Sequence, residues 1–317
     1  MTSATRPIAP AGQDRALAAA GAIGVYAAVI SFLDNYVRVI AAEAGLWQFH
    51  ATRAAMALPL LMLLAPLLRS RIRPHSWRAV VARSAIHGTA MLIYFGALAF
   101  LPVAQVAAGL FTSPVWVLLI QRLAYGRPIT GLQVLAVAAG FGGVILVLGP
   151  EAMAGATLAS LLPVLAGLLY AAGNVATREW CAGESALTLL AGFFAALGLF
   201  GLTGLLALHL VPLAAAEGAA GFIARGWTAP TATFLFWTAM QAAGSILGVG
   251  LMIRAYQIAT AARVSVYEYM LLPASAFWGW IIWTEVPTLP AVAGMALIAG
   301  AGALIALAPP ARARSAG

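Results

Sequence analysis

One stretch of this chain occurs twice. The segment from Ala97 to Pro128, ALAFLPVAQVAAGLFTSPVWVLLIQRLAYGRP, is echoed by AYQIATAARVSVYEYMLLPASAFWGWIIWTEVP from Ala255 to Pro287. Aligning Pro114 on Pro273 also brings Pro128 onto Pro287, and the one-residue slip between Ala97 and Ala255 is the size of a loop adjustment. Such a chain folds as two similar halves. In a membrane, a cleft between two similar halves can be exposed to either side by rocking one half against the other.

Membrane residence follows from composition. Apolar residues make up 63% of the chain and charged residues 8%, with a mean hydropathy of +0.97, which excludes an ordinary soluble domain. A helix needs roughly 20 mostly apolar residues to cross ~30 Å of hydrocarbon. Ten such runs are legible, from Ala16–Val39 to Leu289–Leu307, the fourth being Val103–Leu123 and the ninth Val264–Trp283. The first run carries Asp34 and Arg38 and leads straight into the second, so it reads as a permanent helix and not as a cleaved leader.

The expected fold class is an all-α membrane protein of ten transmembrane helices in two five-helix repeats. Five is odd, so consecutive copies enter the membrane from opposite sides and the repeat is inverted. The expected organisation is a tail over 1–15, a first repeat over 16–148, a linker over 149–157, a second repeat over 158–308 and a tail over 309–317.

The net charge of +8 would fit a nucleic-acid partner if it were spread over one surface. It is not. There is no Lys, and with the N-terminus in the cytoplasm every Arg except Arg38, Arg53 and Arg225 falls at or near a cytoplasmic helix end. That bias sets both termini on the cytoplasmic side, and the Ala- and Arg-rich, Lys-free composition fits a GC-rich bacterial genome, so the expected location is a bacterial inner membrane. The densest cluster, RSRIRPHSWR from Arg69 to Arg78, reads either as a topology anchor or as a contact for anionic lipid. Trp47 and Trp227 suit the outer headgroup belt, and Trp77 and Trp180 the inner one. Cys181 is the one cysteine, so no disulfide forms within the chain. GSILG at Gly244–Gly248 has the spacing that lets helices pack closely, either within the chain or across a homodimer.

These segments resemble an EamA-type repeat of the drug/metabolite transporter superfamily. In the first half the resemblance rests on Ser113-Pro114 inside the fourth run, Gly126 at the following turn and a Gly-rich fifth helix. In the second it rests on EYMLLPASAFWGWIIWTEVP followed by GMALIAGAG. The chain departs from the pattern at Thr284, where the family has Gly, and at Arg127, where it has an acidic residue, which limits that turn to ending a helix. The resemblance implies a bundle with a central cavity lined by the first four helices of each half. It also implies movement of small metabolites in either direction.

A charge at the bilayer centre costs at least ~2.5 kcal/mol, so intramembrane polar residues are the site candidates. Glu268 leads them, on one helical face with Ser265, Leu272, Ser275 and Gly279. It reads as a counter-charge for a cationic substrate, as a proton carrier, or as half of a structural ion pair. Tyr269 adds an aromatic ring with a polar end. Asn35 and Asn174 fall on equivalent positions when the halves are shifted by 139 residues, and either face the cavity or bond between helices. Asp34 and Arg38 stand four apart and neutralise each other locally. Arg53 either binds an anionic group or snorkels to the headgroups. His87 suits proton coupling or a helix contact. Gln105, Gly109, Thr112 and Trp116 form a stripe fit for a cavity wall. Trp278 and Trp280 point to different faces, so at most one reaches a substrate.

No phosphate-cradling loop, nucleophile elbow or cysteine metal cluster is present, so neither cofactor nor metal is expected and enzymatic activity is not. The expected partners are a small-molecule substrate, the lipid bilayer and a possible second copy of the chain, with no nucleic acid. The expected function is proton-coupled transport of an amine, amino acid, nucleoside or vitamin-like metabolite. The alternatives are export of amino acids or toxic amines, and a membrane scaffold or sensor without flux.

Overall fold

The computed structural model describes residues 15–98, 101, 103–150, 158–217 and 221–307. The expected tails, apart from residue 15, and most of the expected linker lie outside these. Among the described residues thirteen α-helices follow one another: α1 (Ala16–Asp34), α2 (Val37–Glu43), α3 (Leu46–Leu67), α4 (Trp77–Ala97), α5 (Val103–Leu110), α6 (Ser113–Tyr125), α7 (Gly131–Leu148), α8 (Leu161–Glu179), α9 (Ala186–Leu210), α10 (Ala232–Ile258), α11 (Ala261–Tyr267), α12 (Leu271–Trp283) and α13 (Leu289–Leu307). There are more helices than apolar runs because three runs are interrupted. Among the described residues, nine helical stretches are long and apolar enough to cross a membrane. The ninth run is the exception, since a 3-10 turn at Glu268–Met270 divides it.

The fourth and ninth runs break at corresponding places for a common reason. Proline has no N–H and its ring crowds the carbonyl four residues back. Pro114 therefore disrupts the helix at Leu110, where α5 ends, and Pro273 disrupts it at Tyr269, inside the 3-10 turn. In the first half the Thr112 hydroxyl donates to the Gly109 carbonyl at 2.6 Å. In the second the backbone N–H groups tighten into the 3-10 pattern. The first run breaks at Asn35–Tyr36, with the Asn35 amide donating to the Ser31 carbonyl at 2.8 Å.

The main helix pairings are repeated under exchange of the two halves. α7 lies along α13, and α3 along α9. α1 packs on α10 as α8 packs on α4, and α1 meets α11 and α12 as α8 meets α5 and α6. Without a hydrophobic drive between helices in lipid, such contacts depend on close backbone approach. A Cβ on Gly143 would stand 2.7 Å from the Gly294 carbonyl oxygen, and one on Gly294 would stand 2.6 Å from the Gly143 oxygen. The same use is made of GSILG, where Gly244 faces Leu33 and Gly248 faces Ile30 of α1. That motif packs within the chain.

The Arg-rich helix ends gather at one end of the bundle. There Arg127 pairs with Glu179 at 2.8 Å, and Arg178 donates to the Ala259 carbonyl. Glu184, between α8 and α9, accepts from the backbone N–H groups of His75 (2.8 Å) and Ser76 (2.7 Å). Burial alone would raise its carboxyl, but those two N–H groups and the His75 ring hold it below the usual value. Burial pushes the nearby Cys181 thiol up to about 11.

At the opposite end Trp47 donates to the Ile223 carbonyl at 2.8 Å, and Gln48 donates to the Thr228 carbonyl at 2.8 Å. Thr284 takes the left-handed conformation (φ 57°) that Gly126 takes in the first half (φ 63°). The turn does more than end a helix, because Glu285 reaches back to Arg38 at 3.4 Å.

Replacing Gly143 by Leu should destabilise the purified protein by about 1–3 kcal/mol through overpacking against α13, read as a lower midpoint of thermal unfolding. A carboxyl depressed in the folded state contributes stability above its unfolded pKa and loses it as pH falls. The tie made by Glu184 should therefore hold above pH ~4.3 and weaken below it. Wild type should lose thermal stability there more steeply than Glu184→Gln.

Candidate functional site

A cavity of about 80 Å³ lies where the two halves meet, and all three broken runs contribute to its wall. Glu268 enters it from the 3-10 turn of the ninth run. Because that turn replaces a regular helical turn, the anticipated stripe of Ser265, Leu272, Ser275 and Gly279 does not line the cavity; among the described residues of this run, Glu268 and Leu271 do. Both oxygens of Glu268 accept from phenols. Tyr170 of α8 donates to Oε1 at 2.6 Å, and Tyr256 of α10 donates to Oε2 at 2.7 Å. The hydroxyl of Tyr26 lies 3.4 Å from that of Tyr170. A phenol has one hydrogen, so with Tyr170 committed to Glu268 it is Tyr26 that donates in the last contact. A chain of neutral donors thus ends on one buried carboxyl, and no ion pair to Glu268 is present among the described residues.

The second charged group in the wall is Arg53 of α3. It is buried and points into the bundle, which overturns the snorkelling alternative. Its Nη2 donates to Ser245 of α10 at 2.8 Å, its plane lies 5.5 Å from the ring centroids of both Phe49 and Phe194, and its Nε has no hydrogen-bond partner. Asp34 shares the cavity with it. The expected Asp34–Arg38 pair does not form. The break at Asn35–Tyr36 separates the two side chains, leaving Asp34 in the cavity beside Gln241, while Arg38 stacks 3.6 Å from Trp283 and pairs with Glu285. Gln241 also donates to the Leu33 carbonyl at 3.1 Å.

His87 of α4 completes the charge-capable set. Its ring lies 4.8 Å from Tyr170 and 5.4 Å from Phe193, and its Nδ1 has no hydrogen-bond partner. Phe95, Phe111 and Tyr94 supply further aromatic wall.

Glu268, Arg53 and His87 are therefore brought together. Five other sequence candidates lie elsewhere. Tyr269 presses its ring on Gly140 of α7, and Phe111 is its link to the cavity, at 6.1 Å between rings. Gln105 accepts from Ser160 at 3.4 Å. Trp116 donates to Thr112 at 3.1 Å. The anticipated wall of Gln105, Gly109, Thr112 and Trp116 is instead a packing seam with α8: a Cβ on Gly167 would meet the Gly109 oxygen at 2.6 Å and the Thr112 hydroxyl at 2.7 Å. Asn35 lies against Gly279 of α12, and Asn174 is buried beside Tyr256, so the two amides do not face one cavity. Neither Trp278 nor Trp280 reaches it: Trp278 donates to the Ala28 carbonyl at 2.9 Å and Trp280 is exposed.

Tyr26, Asp34, Tyr170, Gln241 and Tyr256 escape sequence reasoning. A tyrosine in an apolar run is ordinary, and nothing in the spacing of three tyrosines on α1, α8 and α10 indicates that they converge. Asp34 did carry a signal, its charge, which the neighbouring Arg38 masked. Arg83 is a further surprise. Read as a helix-end anchor, it is fully buried, donating through Nε to Thr177 at 2.9 Å.

A helical bundle with several membrane-crossing helices and a small charged cavity between paired halves defines a multi-pass membrane protein. Residues 16–149 match the EamA-like transporter family, in agreement with the resemblance of the sequence to the drug/metabolite transporter superfamily. The chain is 28% identical over 224 residues to a riboflavin transporter of Brucella anthropi, covering 70% of this chain and 73% of that protein. A riboflavin transporter of Rhizobium johnstonii is 27% identical over 277 residues, covering 87% and 84%. The pseudopaline exporter CntI of Pseudomonas aeruginosa is 24% identical over 221 residues, covering 69% and 71%. One solved crystal structure matches with a TM-score of 0.70 at 16% identity, over 90% of this chain and 96% of that one, a likeness of fold alone.

Removing the Tyr256 hydroxyl leaves a buried carboxyl oxygen without its donor. Tyr256→Phe should lower stability by about 1–3 kcal/mol, measured by thermal or denaturant unfolding in detergent. Tyr269→Phe, whose hydroxyl has no hydrogen-bond partner, should change it by less.

Proposed function

We propose that the protein is a secondary transporter of a small polar or charged metabolite across the bacterial inner membrane, with both termini in the cytoplasm, and not an enzyme. It works by alternating access and exchanges a proton on Glu268. The observation that carries this reading is the placement of Glu268: a carboxyl in the inter-half cavity whose hydrogen-bond partners are neutral phenols. Asp34 shares its end of the cavity with Arg53, so their charges offset one another, and Glu268 is left to take up a cation or a proton.

The chemistry follows from hydrogen counting. As a carboxylate, Glu268 accepts from both Tyr170 and Tyr256. Once protonated, it donates from one oxygen, so the phenol on that oxygen becomes the acceptor and its own hydrogen is released for another partner. Proton uptake thereby changes the wall a substrate meets. A cationic group on the substrate competes for the same carboxylate, which couples the two fluxes in opposite directions, and the rings of Tyr26 and Tyr170 favour such a cation.

The cavity of about 80 Å³ is below the ~300–1,000 Å³ of sites that hold drug-sized ligands. A solute of that size enters when one end opens, and polar ties are present at both ends: Gln257 to the Glu184 carbonyl at 2.8 Å at one, Arg38 to Glu285 at the other. Among the named relatives, the riboflavin transporters favour a vitamin-like solute, and the pseudopaline exporter favours export.

A thermal-shift screen of the purified protein with cationic, zwitterionic and anionic metabolites, riboflavin among them, supplies a ligand for transport assays. In proteoliposomes an imposed pH gradient should then drive its flux, and Glu268→Gln should abolish that drive. Transport by Glu268→Gln that is unchanged at every pH removes Glu268 from the mechanism.

A further inference from the structure

At the Arg-rich end, remote from the central cavity, a groove of about 690 Å³ lies between the loop joining α3 to α4 and the loop joining α8 to α9. We infer that this groove is a binding site for the phosphate headgroup of an anionic phospholipid, which bridges the two halves of the protein. This goes beyond the proposed transport activity and rests only on membrane residence.

Three arginines, Arg69, Arg71 and Arg73, line the groove, and no ion pair to any of them is present among the described residues. The single carboxylate in the wall, Glu184, does not neutralise them. Its side chain is 2% exposed, and its oxygens are taken up by the His75 and Ser76 N–H groups. It therefore shapes the loop that presents the arginines and leaves their charge available. Ser185, also in the wall, is the N-cap of α9, so the positive end of that helix dipole borders the groove. The Ser185 and Thr188 hydroxyls both donate to the Arg71 carbonyl at 3.3 Å, which fixes the arginine loop of the first half to the second half.

A soluble anion would need only the charges. What favours lipid is the apolar surface on either side of them in the chain. Leu67, Leu68 and Trp77 are 77%, 61% and 62% exposed. Cationic side chains beside exposed apolar ones match the phosphate and the acyl chains of one molecule. Arg78 lies 5.5 Å from the Trp77 ring, where it extends the cationic rim. Because the walls come from both halves, an occupant holds them together at this end and favours the conformation in which they are joined.

The test uses the full chain in detergent and reads lipid binding instead of transport, so its failure is distinct from failure of the transport proposal. Phosphatidylglycerol should raise the unfolding midpoint by about 2–4 °C, whereas phosphatidylcholine should not. The triple variant Arg69→Gln/Arg71→Gln/Arg73→Gln should lose most of that shift, the triple Lys variant should keep it, and Arg38→Gln at the opposite end should behave as wild type. Native mass spectrometry of the unaltered protein gives a second readout, in which phosphatidylglycerol adducts should survive activation that strips phosphatidylcholine. The inference is overturned if the Gln triple variant responds as wild type does, if the two lipids act alike, or if glycerol 3-phosphate at equal concentration reproduces the full shift and so identifies a soluble anion as the occupant.

Discussion

The constraint on which the rest depends is that backbone N–H and C=O groups in hydrocarbon must find partners inside the protein. A helix meets that demand unaided; an interrupted helix does so only where neighbours or a cavity replace the lost bonds. Pro114 and Pro273 interrupt two runs at corresponding positions, and both interruptions lie in the interior between the halves. The freed backbone there is satisfied by Thr112 on one side and by a 3-10 turn on the other. Glu268 occupies the first position of that turn. The same local irregularity therefore holds the duplicated architecture together and introduces the carboxyl.

Around this centre the helices approach through glycine. Gly143 and Gly294 oppose each other, Gly109 and Gly167 let α5 and α8 meet, and Gly248 admits Ile30. Each contact leaves room for nothing larger, so among the described residues tight glycine seams surround the central polar cavity. This division explains the fate of the polar stripe Gln105, Gly109, Thr112 and Trp116. Its small and hydroxyl-bearing members serve α8, because a glycine that lets two backbones touch cannot also face an open space.

Much of the fold was legible. The apolar runs are consequences of composition along a line, and among the described residues the bundle turns nine of them into helical stretches long enough to cross a membrane. The candidate site was legible only in part. Glu268, Arg53 and His87 stood out because an ionisable group in an apolar run needs a special environment wherever it is. Asp34 was paired with Arg38 by assuming a continuous helix; the break at Asn35–Tyr36 sends one to the cavity and the other to Glu285 and Trp283. Asn35 and Asn174 matched in register, but register does not determine which neighbour a side chain faces.

By itself, the sequence determined that the chain is an apolar, helical, two-fold repeated protein with few intramembrane charges, because helix length, hydropathy and repetition are local properties. Only the tertiary structure decided which of those charges meet. The phenols of Tyr26, Tyr170 and Tyr256 converge on Glu268 from α1, α8 and α10, helices far apart in sequence. Arg53 turns inward because Ser245 of α10 and the rings of Phe49 and Phe194 receive it. A hydrogen bond of about 3 Å depends on the relative placement of whole helices. That placement is fixed by glycine contacts between segments, which no reading along one segment contains.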